Sequence, residues 1–176
     1  MTFDFNDTAA RYPKDKCIHE LFEEQVKQTP NKIAVIACDK ALTYVELNEQ
    51  ANCIAHSLIE MNIGVGDIVA FALPRHSYLV AAMLGIMKAG AAYLPVDLSY
   101  PQDRIDYMLQ DSQARLFITE ENILDLLENE HMDNLDVPLS SENLCYCIYT
   151  SGTTGKPRDV AIQHRNLVNF CYENYG

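Results

Sequence analysis

Basic residues are scarce in this sequence: 13 Lys and Arg stand against 25 Asp and Glu, for a formal net charge of -12 over 176 residues. That balance excludes a general nucleic-acid binder, whose phosphate contacts need clustered cations, and a polybasic membrane-surface protein. The shortage is local. Between Arg115 and Lys156 there is no Lys or Arg, while Glu120, Glu121, Asp125, Glu128, Glu130, Asp133, Asp136 and Glu142 all fall in that stretch. It reads as a solvated helix and loop. Long apolar runs are also missing. The longest, Leu79 to Met87, lies between His76 and Lys88 and is far short of the roughly 20 residues that cross a bilayer. The first residues, Met1-Thr2-Phe3-Asp4-Phe5-Asn6-Asp7, are acidic and lack the apolar core of an export signal. No CxxC pair and no His at zinc-ligand spacing accompany Cys17, Cys38, Cys53, Cys145, Cys147 and Cys171. The six read as reduced, mostly buried thiols of a cytoplasmic protein, with no membrane and no nucleic-acid partner. Cys145 and Cys147, two apart in an apolar run, are expected on one side of a strand.

What is present is a globular composition, 48% hydrophobic and 22% charged, of a length that suits one domain. Residues 1–16 read as an irregular lead-in. Ile18, Leu21, Phe22 and Val26 follow helical spacing up to Thr29-Pro30, and Ile33 to Ala37 is a short strand. Leu42-Thr43-Tyr44 leads into a second helix, where Thr43 and Glu46 make a capping box. Gly64-Val65-Gly66-Asp67 is a turn. Strands then alternate with helices: Ile68 to Leu73, His76 to Lys88, Ala91 to Val96, Asp103 to Leu109, Arg115 to Thr119, Asn122 to Leu127 and Leu144 to Tyr149. This is the pattern of an α/β layered fold with a mostly parallel sheet flanked by helices. His131 to Glu142 reads as a flexible insertion.

One segment speaks of chemistry: Tyr149-Thr150-Ser151-Gly152-Thr153-Thr154-Gly155-Lys156-Pro157-Arg158. Hydroxyls from Thr150, Ser151, Thr153 and Thr154 surround Gly152 and Gly155, whose missing side chains let backbone amides approach a ligand. Lys156 and Arg158 add positive charge. Such a loop directly after a buried strand suits a polyphosphate. It is not the usual P-loop, which has Gly where Thr150 stands and Ser or Thr where Pro157 stands. Val160-Ala161-Ile162 predicts a strand after the loop, so the loop itself must hold the phosphates. His164-Arg165-Asn166 opens a following helix and has no kinase lid to accompany it. The remaining histidines are isolated in sequence and read as structural or surface groups. Tyr93 and Tyr100 are expected to pack near strand ends.

Tyr149 through Val160 resembles the signature phosphate loop of the adenylate-forming enzymes, particularly the adenylation domains of nonribosomal peptide synthetases. Three further segments are similar to that family in the same order. Leu42-Thr43-Tyr44-Val45-Glu46-Leu47-Asn48 resembles its first core motif. Met87-Lys88-Ala89-Gly90-Ala91-Ala92-Tyr93-Leu94-Pro95-Val96-Asp97, continuing through Tyr100-Pro101 and Arg104-Ile105, resembles its second. Tyr12-Pro13-Lys14-Asp15-Lys16 with His19-Glu20-Leu21-Phe22-Glu23-Glu24-Gln25 is similar to the linker before such domains.

The resemblance implies ATP-dependent activation of an amino acid or other carboxylic acid as an acyl adenylate. Pyrophosphate is released, and the product is loaded onto the phosphopantetheine of a carrier domain. Thr150, Ser151, Gly152, Thr153, Thr154, Gly155 and Lys156 would hold the β- and γ-phosphates. Mg2+ is implied by the ATP chemistry, with no ligand here to name. Residues 1–16 are then a linker and 17–176 a partial AMP-binding domain, the opening part of the large adenylate-forming subdomain. In this family the residues for the amino acid, adenine, ribose and the adenylate-forming lysine lie downstream of the matching position of Gly176, and Lys156 does not take that lysine's role. The expectation is inactivity without the remainder of the adenylation domain, and aggregation from unpaired edges. Where the family carries Lys-Gly-Val, this chain has Arg158-Asp159-Val160, and two readings of Asp159 stay open: its carboxylate weakens ATP binding by repulsion or backbone strain, or it points to solvent. Two alternatives stay open, a non-catalytic nucleotide-binding or partner-docking module and a non-functional remnant.

Overall fold

The computed structural model describes residues 12–150 and 158–175. Helix α1 (Ile18–Gln28) leads into a two-stranded antiparallel sheet of β1 (Ile33–Ile36) and β2 (Ala41–Thr43). The local pattern of Leu42-Thr43 announces only a helix entry. Pairing of Ile36 with Ala41 and Ile33 with Thr43 makes it a strand too short for a propensity signal. Helix α2 (Tyr44–Glu60) starts as expected: the Thr43 hydroxyl accepts from the Glu46 N–H, and the Glu46 carboxylate accepts from the Thr43 N–H at 2.8 Å.

The main sheet has the order β5-β3-β4-β6-β7. It contains β3 (Ile68–Phe71), β4 (Ala92–Pro95), β5 (Leu116–Ile118), β6 (Leu144–Thr150) and β7 (Arg158–Gln163). The first four are parallel to one another, and β7 returns antiparallel to β6. Helix α3 (Ser77–Lys88) carries the chain from β3 to β4, and α4 (Gln102–Asp111) carries it back to β5 on the opposite edge of β3. The two crossovers therefore leave β3 and β4 in opposite directions, which puts their helices on opposite faces. Two cores result. One joins α2, α3 and the short α5 (Ile123–Leu127) to Val69, Phe71, Tyr93 and Ile118. The other packs Ile105 and Met108 of α4 on Ala70, Leu94, Val96 and Cys147.

Close packing of α2 on α3 depends on Gly85. A Cβ there would lie 2.8 Å from both the Ala51 carbonyl oxygen and Ile54 Cβ. Helix α3 ends in a Schellman motif: the Ala91 N–H reaches the Ile86 carbonyl, the Gly90 N–H reaches that of Met87, and Gly90 takes φ +89. The run Lys88-Ala89-Gly90 is thus a helix end for a stated geometric reason.

The expected common face of Cys145 and Cys147 is corrected. Both are buried, but Cys145 packs in the α2/α3 core and Cys147 in the α4 core. The cause is a β-bulge. From Leu144 to Tyr146 the pairing with β7 advances only from Gln163 to Ile162, so Cys145 is an extra residue that shifts the alternation.

The segment 131–142 lacks regular structure, yet it is docked. Asn134 Oδ1 accepts from Asn48, Asn52 and Lys88, the Met132 carbonyl accepts from Asn52, and Ser141 donates to the Lys14 carbonyl. It is a strap over α2 rather than the loose insertion its composition predicts. Among the described residues no helix is long and apolar enough to cross a membrane. Helix α6 (His164–Tyr175) closes the described chain and lies against α1.

Candidate functional site

In open α/β sheets the ligand crevice lies beyond the carboxyl ends of the strands, where neighbouring crossovers diverge. Here that point is between β3 and β4. An open crevice of about 680 Å³ occupies it, lined by Ala72, Pro74 and Arg75 after β3, Val96 and Asp97 after β4, and Tyr149 of β6. The Gly/Ser/Thr loop expected to hold phosphate starts from the same edge, after Thr150. Thr150 pairs with Arg158 across the β6–β7 ladder, and the Thr150 hydroxyl donates to the Arg158 carbonyl at 3.4 Å. The loop's entrance and exit are thus clamped together at the mouth of the crevice. Of the seven residues assigned to phosphate binding, Thr150 is placed here. Ser151, Gly152, Thr153, Thr154, Gly155 and Lys156 lie outside the described residues.

The clamp is braced from below. The Tyr149 hydroxyl donates to Asp111 Oδ2 at 2.8 Å, and the Tyr107 ring meets Tyr149 edge-on. Burial, then the Asp111 carboxylate, pushes the Tyr149 phenol well above the usual tyrosine range. It therefore stays a neutral hydrogen-bond donor. Asp159 pairs directly with Tyr149 across the ladder, so its carboxylate shares the Tyr149 face and raises the Tyr107 and Tyr149 pKa values further. Tyr100 lines the crevice with the Arg104 guanidinium 4.0 Å above its ring, whereas Tyr93 is stacked on Tyr146 inside the core. Packing is the role of Tyr93. Arg75 at the crevice rim has no sequence signal, because nothing local marks it.

The described residues do not fit a protein-held Mg2+ at this crevice. Its acidic side chains are already engaged: Asp97 accepts from the Ser99 N–H, and Glu120 from the Tyr78 hydroxyl. No trio of His, Cys, Asp or Glu converges there among the described residues. The trio that does converge, Cys17, His19 and His164, lies elsewhere, between the starts of α1 and α6. Histidines isolated in sequence are neighbours in space: the His19 and His164 rings are 5.6 Å apart and edge-on, and His56 and His131 are 5.2 Å apart.

The AMP-binding enzyme family profile matches residues 22–175, and the chain belongs to that family. Within it, the chain corresponds to the N-terminal portion of a nonribosomal peptide synthetase adenylation domain. It is 40% identical over 184 residues to gramicidin S synthase 1 of Brevibacillus brevis and 45% identical over 183 residues to tyrocidine synthase 3 of Brevibacillus parabrevis. These alignments cover 95% and 94% of this chain but 17% and 3% of the relatives, so the chain spans a small fraction of their length. Among solved structures, the nonribosomal peptide synthetase FmoA3 superimposes with a TM-score of 0.86 at 30% identity, over 95% of this chain and 19% of that one. An AMPPNP-bound form of FmoA3 matches equally well. The fold expected from the sequence, a mostly parallel sheet flanked by helices, is the fold of this N-terminal part.

Proposed function

We propose that this chain supplies the phosphate-holding part of an adenylation domain. That domain activates an amino acid or other carboxylic acid as an acyl adenylate for loading onto a phosphopantetheine carrier. The observation that carries the reading is the Thr150/Arg158 clamp, which fixes both ends of the Gly/Ser/Thr loop at the crevice beyond β3, β4 and β6. In the reaction a substrate carboxylate oxygen bonds to the α-phosphorus, the bond from that phosphorus to the bridging oxygen breaks, and pyrophosphate leaves. Amides and hydroxyls from Thr150 to Thr154, with Lys156, would take up the charge growing on pyrophosphate, which lowers the barrier. Mg2+ would arrive with the nucleotide phosphates rather than in a protein cage. Residues 1–16 serve as a linker and 17–176 as part of the AMP-binding domain in this reading.

ATP–pyrophosphate exchange tests it, run on the chain alone and on the chain mixed with the C-terminal portion of an adenylation domain. Exchange only on mixing is the expected result. Exchange by the chain alone overturns the need for downstream residues. Nucleotide binding without exchange in either case assigns a binding module, and neither binding nor exchange assigns a non-functional remnant.

A further inference from the structure

Among the described residues, Cys17, His19 and His164 each bring one donor atom to a point where all three lie within 4.8 Å of one another. All three side chains are buried: Cys17 is 1% exposed, His19 9% and His164 0%. Two imidazole nitrogens in this pocket, Nδ1 of His19 and Nε2 of His164, have no hydrogen-bond partner among the described residues. Orphaned polar atoms at such burial are rare, because each forfeits its hydration without a replacement. The thiol and the two rings together give a donor set of one sulfur and two imidazoles, which suits a borderline cation such as Zn2+ and not Mg2+ or Ca2+.

We propose that Cys17, His19 and His164 form a Zn2+ site that ties the start of α1 to the start of α6, directly beyond the strand that leaves the phosphate loop.

The surroundings fit this charge. Binding replaces the Cys17 thiol proton, which goes to solvent, with a dication, leaving one net positive charge. The Glu20 carboxylate sits beside it, accepting from the Cys17 N–H at 2.5 Å. The nearby Lys88 is paired with Glu23, which offsets part of the repulsion its charge exerts at His19. One bond is given up. His164 Nδ1 accepts from the Ile18 N–H at 3.4 Å, and ligation through Nε2 moves the ring proton to Nδ1. A contact that long is weak, and because a protonated Nδ1 can no longer accept, the ring turns slightly away from the Ile18 N–H on binding. Three protein ligands leave a fourth position for water or Glu20.

The test is a Co2+ titration of the EDTA-treated full chain, followed by displacement with Zn2+. One equivalent of Co2+ should give tetrahedral ligand-field bands with thiolate charge transfer, bleached by Zn2+, and Zn2+ should raise Tm. Cys17→Ser should abolish the bands and the shift while keeping the apo fold, since serine is a favoured residue at a helix N-cap. Cys38→Ser, at an exposed thiol, should change neither. Absence of the bands overturns the site, as does their persistence in Cys17→Ser or loss of both effects in Cys38→Ser. If Cys17→Ser fails to fold, His164→Gln read by the same bands decides: retained bands overturn the proposal and lost bands support it.

Discussion

Asp39, in the bend between β1 and β2, caps helix α3 through Ser77. Its Oδ1 accepts from the Ser77 N–H at 2.9 Å and its Oδ2 from the Ser77 hydroxyl at 2.7 Å. His76 at the N-cap position makes no side-chain capping bond, so a carboxylate from another element satisfies the helix end. Negative charge at a helix N-terminus also complements the macrodipole. Asp39→Ala should lower Tm by a few degrees, and Asp39→Asn by less, since the amide oxygen still accepts. Thermal melts of the three proteins side by side check this, and equal Tm values would remove the cap from the account.

Lys88 is buried with 1% of its side chain exposed and is held by Glu23 and Asn134. Burial lowers its pKa, and Glu23 opposes that shift. Removing the carboxylate alone strands a buried cation, a loss of about 3–5 kcal/mol. Glu23→Ala should therefore be severely destabilised in urea melts. The double variant Glu23→Leu/Lys88→Met should recover most of that loss. A double variant as unstable as the single one would show that packing, not charge, dominates the contact.

Acid should unfold the metal-free protein in two stages. Burial lowers the pKa of His19 and His164 from the usual 6.5 to about 4, with Lys88 adding to the effect on His19 and His19 to that on His164. Between those values the unfolded chain binds more protons, so stability rises with pH there. It is fully present above the unfolded value and lost as pH falls toward 4, on the order of a few kcal/mol for the pair. Asp39 works in a lower window. Its hydrogen bonds to Ser77 hold it down from 3.8 to about 2, so its contribution is lost across that range. Urea midpoints against pH should fall first below neutrality in EDTA, and His19→Gln should flatten that first stage. An unchanged slope in the variant would assign the acid response to other groups.

Asp159 pairs with Tyr149, next to the Thr150/Arg158 pair that joins the two ends of the Gly/Ser/Thr loop. Its carboxylate joins that of Asp111 near Tyr149, so two negative charges lie beside the ladder from which the Gly/Ser/Thr loop leaves. Asp159→Gly, measured in the chain completed by a C-terminal portion, should bind ATP severalfold more tightly, with the gain shrinking as salt rises. Unchanged affinity would mean the carboxylate acts only on the tyrosines beneath.

Most of the architecture was legible because periodicity and turn chemistry agree along the chain. Thr43 and Glu46 announce α2, and Gly90 closes α3. The errors share a physical cause. The Cys145 bulge, the β2 strand and the Asn134 strap all depend on partners remote in sequence, which no local pattern records. The Gly/Ser/Thr loop stands out by its own composition, and six of the seven residues expected to hold phosphate lie outside the described residues. Arg75 and the pairing of His19 with His164 were not legible, since only the crossovers and the α1–α6 contact bring them to their places.

The bulge at Cys145 reaches further than the cysteines. Everything from Tyr146 to Thr150 takes its facing from that one unpaired residue. Removing it would restore strict alternation against β7 and turn the remaining strand by half a revolution relative to the segment before it. Cys147 would leave the α4 side, Tyr149 would swing away from Asp111, and Thr150 would enter the loop from the wrong direction. The facing of the strand end at Thr150 is therefore set well upstream of it, by one irregularity near the start of β6.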